Sequence, residues 1–176
     1  TDGDVIPGAG FPFEALHTPG HISNHLCFAF REEATLFTGD HVMGWSTSVV
    51  PAPDGDLNDY LENLERLLDR PETTYRPTHG PAITDPIPYV TALIEHRRMR
   101  ERQIVDALAG GPRGIISIVE ELYADIDPKL HKAAGASVYA HLLALSRAGR
   151  VESLADSGDV CISGTASWIA RTRLTM

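Results

Sequence analysis

The chain has 176 residues, 43% of them hydrophobic and 22% charged, with a formal net charge of −9. That length can bury a sizeable core as one domain or two small ones, and the composition excludes a disordered chain. No apolar run approaches the ~18 residues of a membrane span. The charge is unevenly spread: residues 1–85 carry 4 basic and 14 acidic side chains, residues 86–111 carry 4 and 3, and residues 112–176 carry 7 of each. The acidity of the first half argues against a broad nucleic-acid surface there. Cys27 and Cys161 lie far apart without metal-motif spacing. Cys27 sits in an apolar run, which fits a core thiol in a reducing cytoplasm rather than a disulfide.

In chain order, residues 4–7 read as a short extended segment ended by the turn Gly8-Ala9-Gly10, and residues 13–18 as a strand running into Pro19-Gly20. Residues 25–31 (HLCFAFR) form a strand, Glu32-Glu33 its turn and residues 35–38 the next strand. The entrance and exit of such a hairpin lie together, so it delivers His21 and Asp40 to one edge of a sheet. A loop over residues 44–55 follows. Asp56 then caps a helix whose Leu57, Tyr60, Leu61, Leu64, Leu67 and Leu68 recur at helical spacing, with Glu62, Glu65 and Arg66 facing away; Arg70-Pro71 ends it. Residues 73–76 are a strand leading to the loop of His79. The order strand, helix, strand, ligand loop is that of a layered α/β architecture.

A long helix is expected over residues 86–109, with prolines in its first turn, apolar patches at Val90, Leu93, Ile94 and at Ile104, Val105, Leu108, and a charged middle. Arg97, Arg98, Arg100 and Arg102 spread around its axis and read as a solvated bridge between two packed units rather than as a phosphate site. Gly110-Gly111-Pro112 stops the helix. Two more helices are expected over residues 117–126 and 130–148, the second burying Val138, Leu142 and Leu145. Gly149-Arg150-Val151, a Ser157-Gly158-Asp159 turn and Val160-Cys161-Ile162 fit a β-wing, so the last 65 residues resemble a winged helix. Three segments result: 1–85, 86–111 and 112–176.

Three pieces carry the chemistry: His17-Thr18-Pro19-Gly20-His21, Gly39-Asp40 nineteen residues after His21, and Thr78-His79-Gly80-Pro81. Each stands where an apolar run stops and a Gly or Pro turn begins, so a sheet holds side chains that point into open loops. One carboxylate and two imidazoles brought together would bind a borderline divalent cation such as zinc. His17 reads as a packing residue or a support for a ligand. His25 and His41 read as structural, with a place in a substrate pocket as the alternative. Trp45 reads as a core or loop-packing residue, and a substrate platform as its alternative.

This constellation resembles the metallo-β-lactamase superfamily, and the match runs on through Gly39-Asp40-His41-Val42-Met43-Gly44-Trp45 and the helix after it. With the carboxy-terminal extension, the chain is most similar to the beta-lactamase-like protein 2 branch, which carries a winged-helix appendage. The resemblance implies an α/β fold, the carboxy-terminal half of an αββα sandwich followed by a winged-helix domain. It implies that His21 ligates a first metal, that Asp40 bridges two divalent metals, zinc by expectation, and that His79 ligates the second. It implies hydrolysis of an ester, thioester, lactam or phosphodiester, single-stranded RNA included.

The family's first metal motif, His-x-His-x-Asp-His, is absent: the eight histidines stand at 17, 21, 25, 41, 79, 96, 131 and 141. The chain also starts at Thr1. It therefore reads as the carboxy-terminal part of a longer enzyme, with a partial or empty metal site and little activity alone. An uncovered sheet face is expected to associate with another copy or with the rest of the enzyme. Residues 112–176 have no net charge, which argues against independent DNA recognition. The competing reading is a winged-helix module that binds nucleic acid or protein.

Overall fold

The computed structural model describes residues 1–8, 10–154 and 167–171. They pack as two compact units that divide between His96 and Arg97. In the first unit, β1 (Val5–Pro7), β2 (Pro12–His17), β3 (Leu26–Phe30), β4 (Thr35–Gly39) and β5 (Thr74–Pro77) form one sheet in that spatial order. The first three pairings are antiparallel and β4–β5 is parallel. The expected hairpin is β3–β4, with Phe28 opposite Phe37. Its turn is a single 3-10 turn over Arg31–Glu33, closed by Ala34 in the left-handed region at φ 46°. The connection from β4 to the parallel β5 is a crossover through α1 (Leu57–Leu67), as a parallel pair requires.

The helix α1 starts where Asp56 accepts hydrogen bonds from the Asn58 and Asp59 amides, satisfying two of the donors that a helix leaves open. Its Leu57, Tyr60, Leu64 and Leu67 are buried, each contributing about 1.5–3 kcal/mol by leaving water. They lie against the sheet face that carries Leu16, Cys27, Ala29, Leu36 and Tyr75, all buried, and the Tyr75 hydroxyl donates to the Leu67 carbonyl at 3.0 Å. Asn63 is buried on the same side; its amide donates to the carbonyls of Pro19 and Asp59.

The opposite face is different. Alternation along the strands puts Ile6, Phe13, Phe28, Phe30 and Phe37 together there. Phe13 lies 5.3 Å from Phe30 and 6.1 Å from Phe37, ring centre to ring centre, and Phe11 lies 5.6 Å from Phe30. Ile6, Phe11 and Phe37 remain 45%, 56% and 37% exposed, so within the described residues this aromatic surface faces solvent.

The long helix α2 (Pro86–Leu108) contains the division between the units. In the first unit Val90, Leu93 and Ile94 are buried and the Tyr89 hydroxyl donates to the Met43 carbonyl. Its basic middle is solvated only in part: Arg98 and Arg102 are exposed, as expected, and the other two arginines correct the expectation. Arg97 is only 4% exposed and donates to the Ser137 hydroxyl, while Arg100 lies 4.0 Å over the Tyr123 ring and donates to the Leu122 carbonyl. Burying the stems of these side chains uses their methylenes as core and leaves each guanidinium a polar partner.

The second unit contains β6 (Arg113–Gly114), α3 (Ile115–Leu122), α4 (His131–Arg147), β7 (Val151–Ser153) and β8 (Ser167–Ala170), with strand order β6–β8–β7. The expected stripe Val138, Leu142 and Leu145 is buried. Arg113 pairs with Glu121, Arg150 with Glu101 and Arg171 with Glu152. The Ser157-Gly158-Asp159 turn and the Val160-Cys161-Ile162 strand expected for the wing lie outside the described residues. No helix among the described residues is long and apolar enough to cross a membrane.

Candidate metal centre

Three loops meet at one end of the five-stranded sheet. The first leaves β2 at Thr18 and turns through Pro19-Gly20 to His21. Gly20 has φ +139°, and a Cβ there would lie 2.3 Å from the Tyr60 Cα, so the turn can sit on α1 only without a side chain. The Asp56 amide donates to the Gly20 carbonyl and the Thr18 amide to the His25 carbonyl. The second loop leaves β4 at Gly39 and presents Asp40. The third leaves β5 and presents His79. It is tied to the second through Thr78 N–H to the Gly39 carbonyl at 3.0 Å and Gly44 N–H to the His79 carbonyl at 2.8 Å.

The structure brings His21, Asp40 and His79 together. The His21 Nε2 lies 3.9 Å from Asp40 Oδ2, and the His79 Nε2 lies 3.6 Å from Asp40 Oδ1. They form two pairs that share one carboxylate; among the described residues no group of three or more His, Cys, Asp or Glu side chains gathers around a single metal position. Asp40 Oδ1 is buried and accepts no hydrogen bond among the described residues. An unmet carboxylate oxygen in a polar setting is costly unless a cation or donor reaches it.

The tautomer of His21 follows from its surroundings. Its Nδ1 stands 2.5 Å from the Val49 carbonyl, which can only accept, so Nδ1 carries a proton and Nε2 is the ring nitrogen that faces Asp40, at 3.9 Å. Nothing in the sequence marked Val49 for this task, because it acts through its backbone.

Behind the carboxylate lies a buried histidine pair. His25 is 8% exposed; its Nε2 accepts from the Asp40 amide at 3.1 Å, and its Nδ1 contacts the Thr18 hydroxyl at 2.8 Å. Burial and, secondarily, the neighbouring His21 push its basicity below the ordinary imidazole value. His41 is fully buried against Tyr60, 5.0 Å between ring centres, and burial first, then His25, pushes it down to about 3. Cys27 is a free, fully buried thiol that burial pushes up to about 12. His25 and His41 are thus structural neighbours of the centre. His17 stands apart from it, exposed, with Nε2 3.1 Å from the Ser23 carbonyl. Trp45 corrects the packing expectation: it is 73% exposed, in a loop whose preceding Gly44 amide donates to the His79 carbonyl.

Residues 1–79 match the family described as the Metallo-beta-lactamase superfamily, and residues 115–160 match the Beta-lactamase associated winged helix domain. A Beta-lactamase-like protein 2 homolog of Drosophila melanogaster is 34% identical over 81% of this chain and 48% of its own length. An Atrochrysone carboxyl ACP thioesterase of Aspergillus chevalieri is 37% identical over 68% of this chain and 39% of its own. The crystal structure of a metallo-beta-lactamase family protein from Thermus thermophilus superposes with a TM-score of 0.80 at 25% identity, over 97% of this chain and 53% of that one. The chain therefore spans about half the length of the curated relatives it matches. With an α/β unit and a winged-helix match in the same order as sequence and fold require, this chain belongs to the metallo-β-lactamase superfamily and carries its lactamase-associated winged helix.

Proposed function

We propose that the chain contributes His21, Asp40 and His79 to a metal-dependent hydrolase, with zinc as the metal and a thioester as the substrate class. The observation that carries this is Asp40, whose carboxylate stands between two imidazole Nε2 atoms with one oxygen buried and unbonded. Two ligands each at ~2.0–2.1 Å from a tetrahedral zinc are about 3.4 Å apart, close to the 3.6 and 3.9 Å separations here. The donor set of two imidazole nitrogens and a carboxylate suits a borderline cation. When bound, such ions supply an activated hydroxide and stabilise a developing oxyanion.

The chain's own residues do the holding. Val49 holds the Nδ1 proton of His21, so Nε2 is the nitrogen that would ligate, and Asp40 faces each imidazole with a different carboxylate oxygen, so it would supply the anionic charge that cations placed there need. The Gly44 and Thr78 amides keep the His79 loop on the Asp40 loop. The thioester assignment is supported by relatives named as ACP thioesterases; esters, lactams and single-stranded RNA phosphodiesters use the same hydroxide and oxyanion chemistry.

Two ligands per ion fall below the three or four that zinc sites use, so the chain alone binds metal weakly and turns over poorly. The remaining ligands come from polypeptide bearing a His-x-His-x-Asp-His segment. The aromatic face supports association with that polypeptide or with another copy. The test adds such a polypeptide and zinc to this chain. Zinc-dependent hydrolysis of a model thioester, abolished by Asp40→Asn, is the expected result; no turnover of thioester, ester or RNA by the combination would contradict the proposal.

The second reading is a nucleic-acid or protein adaptor, favoured by the winged-helix match over residues 115–160. Against DNA stand the pairing of Arg113, Arg150 and Arg171 with glutamates and the zero net charge of residues 112–176. A gel shift at physiological salt distinguishes the two: tight, sequence-selective binding would favour the adaptor. With the hydrolase reading goes a cytoplasmic location.

A further inference from the structure

Asp40 is gripped from behind by a chain of buried polar groups whose protons have one consistent order. The Asp40 amide can only donate, so His25 Nε2, 3.1 Å away, holds a lone pair. A neutral imidazole then carries its single proton on Nδ1, which donates to the Thr18 hydroxyl at 2.8 Å. That hydroxyl, having accepted, turns its own proton toward Cys27 Sγ at 3.3 Å. The thiol donates in turn to the Thr38 carbonyl at 3.5 Å, which can only accept. An obligatory donor at one end and an obligatory acceptor at the other leave no second arrangement. Thr18, His25, Cys27 and Thr38 are 1%, 8%, 0% and 0% exposed, so water does not compete for these bonds.

The backbone is shaped to receive the ring. Gly39 has φ +55°, and a Cβ there would lie 2.5 Å from His25 Nε2. The glycine before the aspartate therefore serves two needs at once, a left-handed turn and room for an imidazole against the chain. Thr38 closes the other side, donating from its hydroxyl to the Val42 carbonyl at 2.8 Å while its carbonyl accepts from the His41 amide.

We infer that His25 is a positioning residue for the metal centre: held in one tautomer by Thr18, it fixes the Asp40 backbone and so aims the carboxylate between His21 and His79. Its effect on metal binding rests on the hydrolase reading above; its grip on Asp40 does not. What matters is an acceptor and a donor on one planar group, not the volume of the ring. His25→Phe keeps the volume and loses both bonds, whereas His25→Gln keeps a carbonyl acceptor and an amide donor. Thr18→Val and Thr18→Ser form a second pair that removes or keeps the hydroxyl without touching the ring.

The test is nuclear magnetic resonance on the 176-residue chain. Long-range proton–nitrogen spectra read the tautomer of His25, amide exchange reads the Asp40 backbone, and titration with zinc reads affinity at His21 and His79. The expected result is a His25 proton on Nδ1 and a protected Asp40 amide. His25→Phe and Thr18→Val speed that exchange at least tenfold and weaken zinc binding about 10- to 100-fold, the range typical of groups that orient ligands; His25→Gln and Thr18→Ser restore both. A proton on Nε2, or Asp40 exchange that is the same in the Phe and Gln variants and in the Val and Ser variants, would overturn the inference. The expected tautomer and protection with no zinc response in the wild-type chain would uphold the grip on Asp40 and overturn the metal reading instead.

Discussion

The two ends of the five-stranded sheet both gather ionisable side chains, and they treat them in opposite ways. At the end where β2 and β4 begin, Glu14 accepts from Arg31 and Arg70, and Glu72, itself buried, accepts two bonds from Arg70. Both of these carboxylates have their arginines. At the other end Asp40 has two imidazoles at 3.6 and 3.9 Å, neither within hydrogen-bond reach, and a buried oxygen with no donor among the described residues. The first arrangement is closed on itself and fastens β2, the 3-10 turn and the approach to β5. The second is held rigid from behind yet left unsatisfied in front, which is how a fold stores capacity for a ligand.

The sharpest way to break this comparison is at Asp40. Asp40→Asn is expected to weaken zinc binding more than 100-fold, beyond the ~10–100-fold cost of losing a supporting group, with little change in folding stability. Equal zinc affinity in the variant, by nuclear magnetic resonance titration, would remove the distinction between the two ends. Gly39→Ala probes the grip behind the site. With φ at +55° and a Cβ 2.5 Å from the His25 ring, it is expected to cost about 2–3 kcal/mol in a urea melt; an unchanged midpoint would mean that the ring yields freely.

Glu14→Gln tests the closed end and is expected to cost about 1 kcal/mol, since its ion pairs are only partly shielded from water, with zinc binding unchanged. Hydrogen bonds from Arg70 first, then Arg31, hold the Glu14 carboxyl below its ordinary value. The folded state therefore binds that proton less readily than the unfolded one. Its stabilisation is complete above the unfolded value of about 4.3 and is lost as pH falls below it through the lowered folded value. The wild-type melt should accordingly lose more stability than the Glu14→Gln melt between about pH 5 and 3; parallel curves would sink the assignment. Phe37→Asp lies on the exposed aromatic face, away from both charged ends. It is expected to leave zinc binding alone, cost about 1–2 kcal/mol through the lost ring contact with Phe13, and reduce association. A wild-type chain that is already a monomer by light scattering would contradict the role given to that face.

Much of the first unit was legible because its signals are local. Asp56 announced α1, the apolar period of Leu57, Leu64 and Leu67 gave its buried face, and a short turn between two apolar runs gave the β3–β4 hairpin that sets His21 near Asp40. Other features depend on partners distant in sequence. Arg97 looked solvated because its charge is visible in the sequence and Ser137 is not adjacent to it. Trp45 reads as packed because a large apolar ring usually is, yet it stands 73% exposed, and nothing local in the sequence separates the two outcomes. The strands β6, two residues long, and β8, four, are too short for a readable alternation. In the sequence His25 reads as structural, with a substrate pocket as the alternative; its contact with the Asp40 amide exists only once the hairpin has closed.

The central claim is that His21, Asp40 and His79 act together on a cation. Zinc titration of the chain, followed at the imidazole and amide resonances, tests it most directly. The account predicts that His21 and His79 respond together, that Asp40→Asn abolishes the response, and that the wild-type dissociation constant is weaker than micromolar because each ion finds only two ligands. Sub-micromolar binding by this chain alone, or a response at one imidazole without the other, would contradict it.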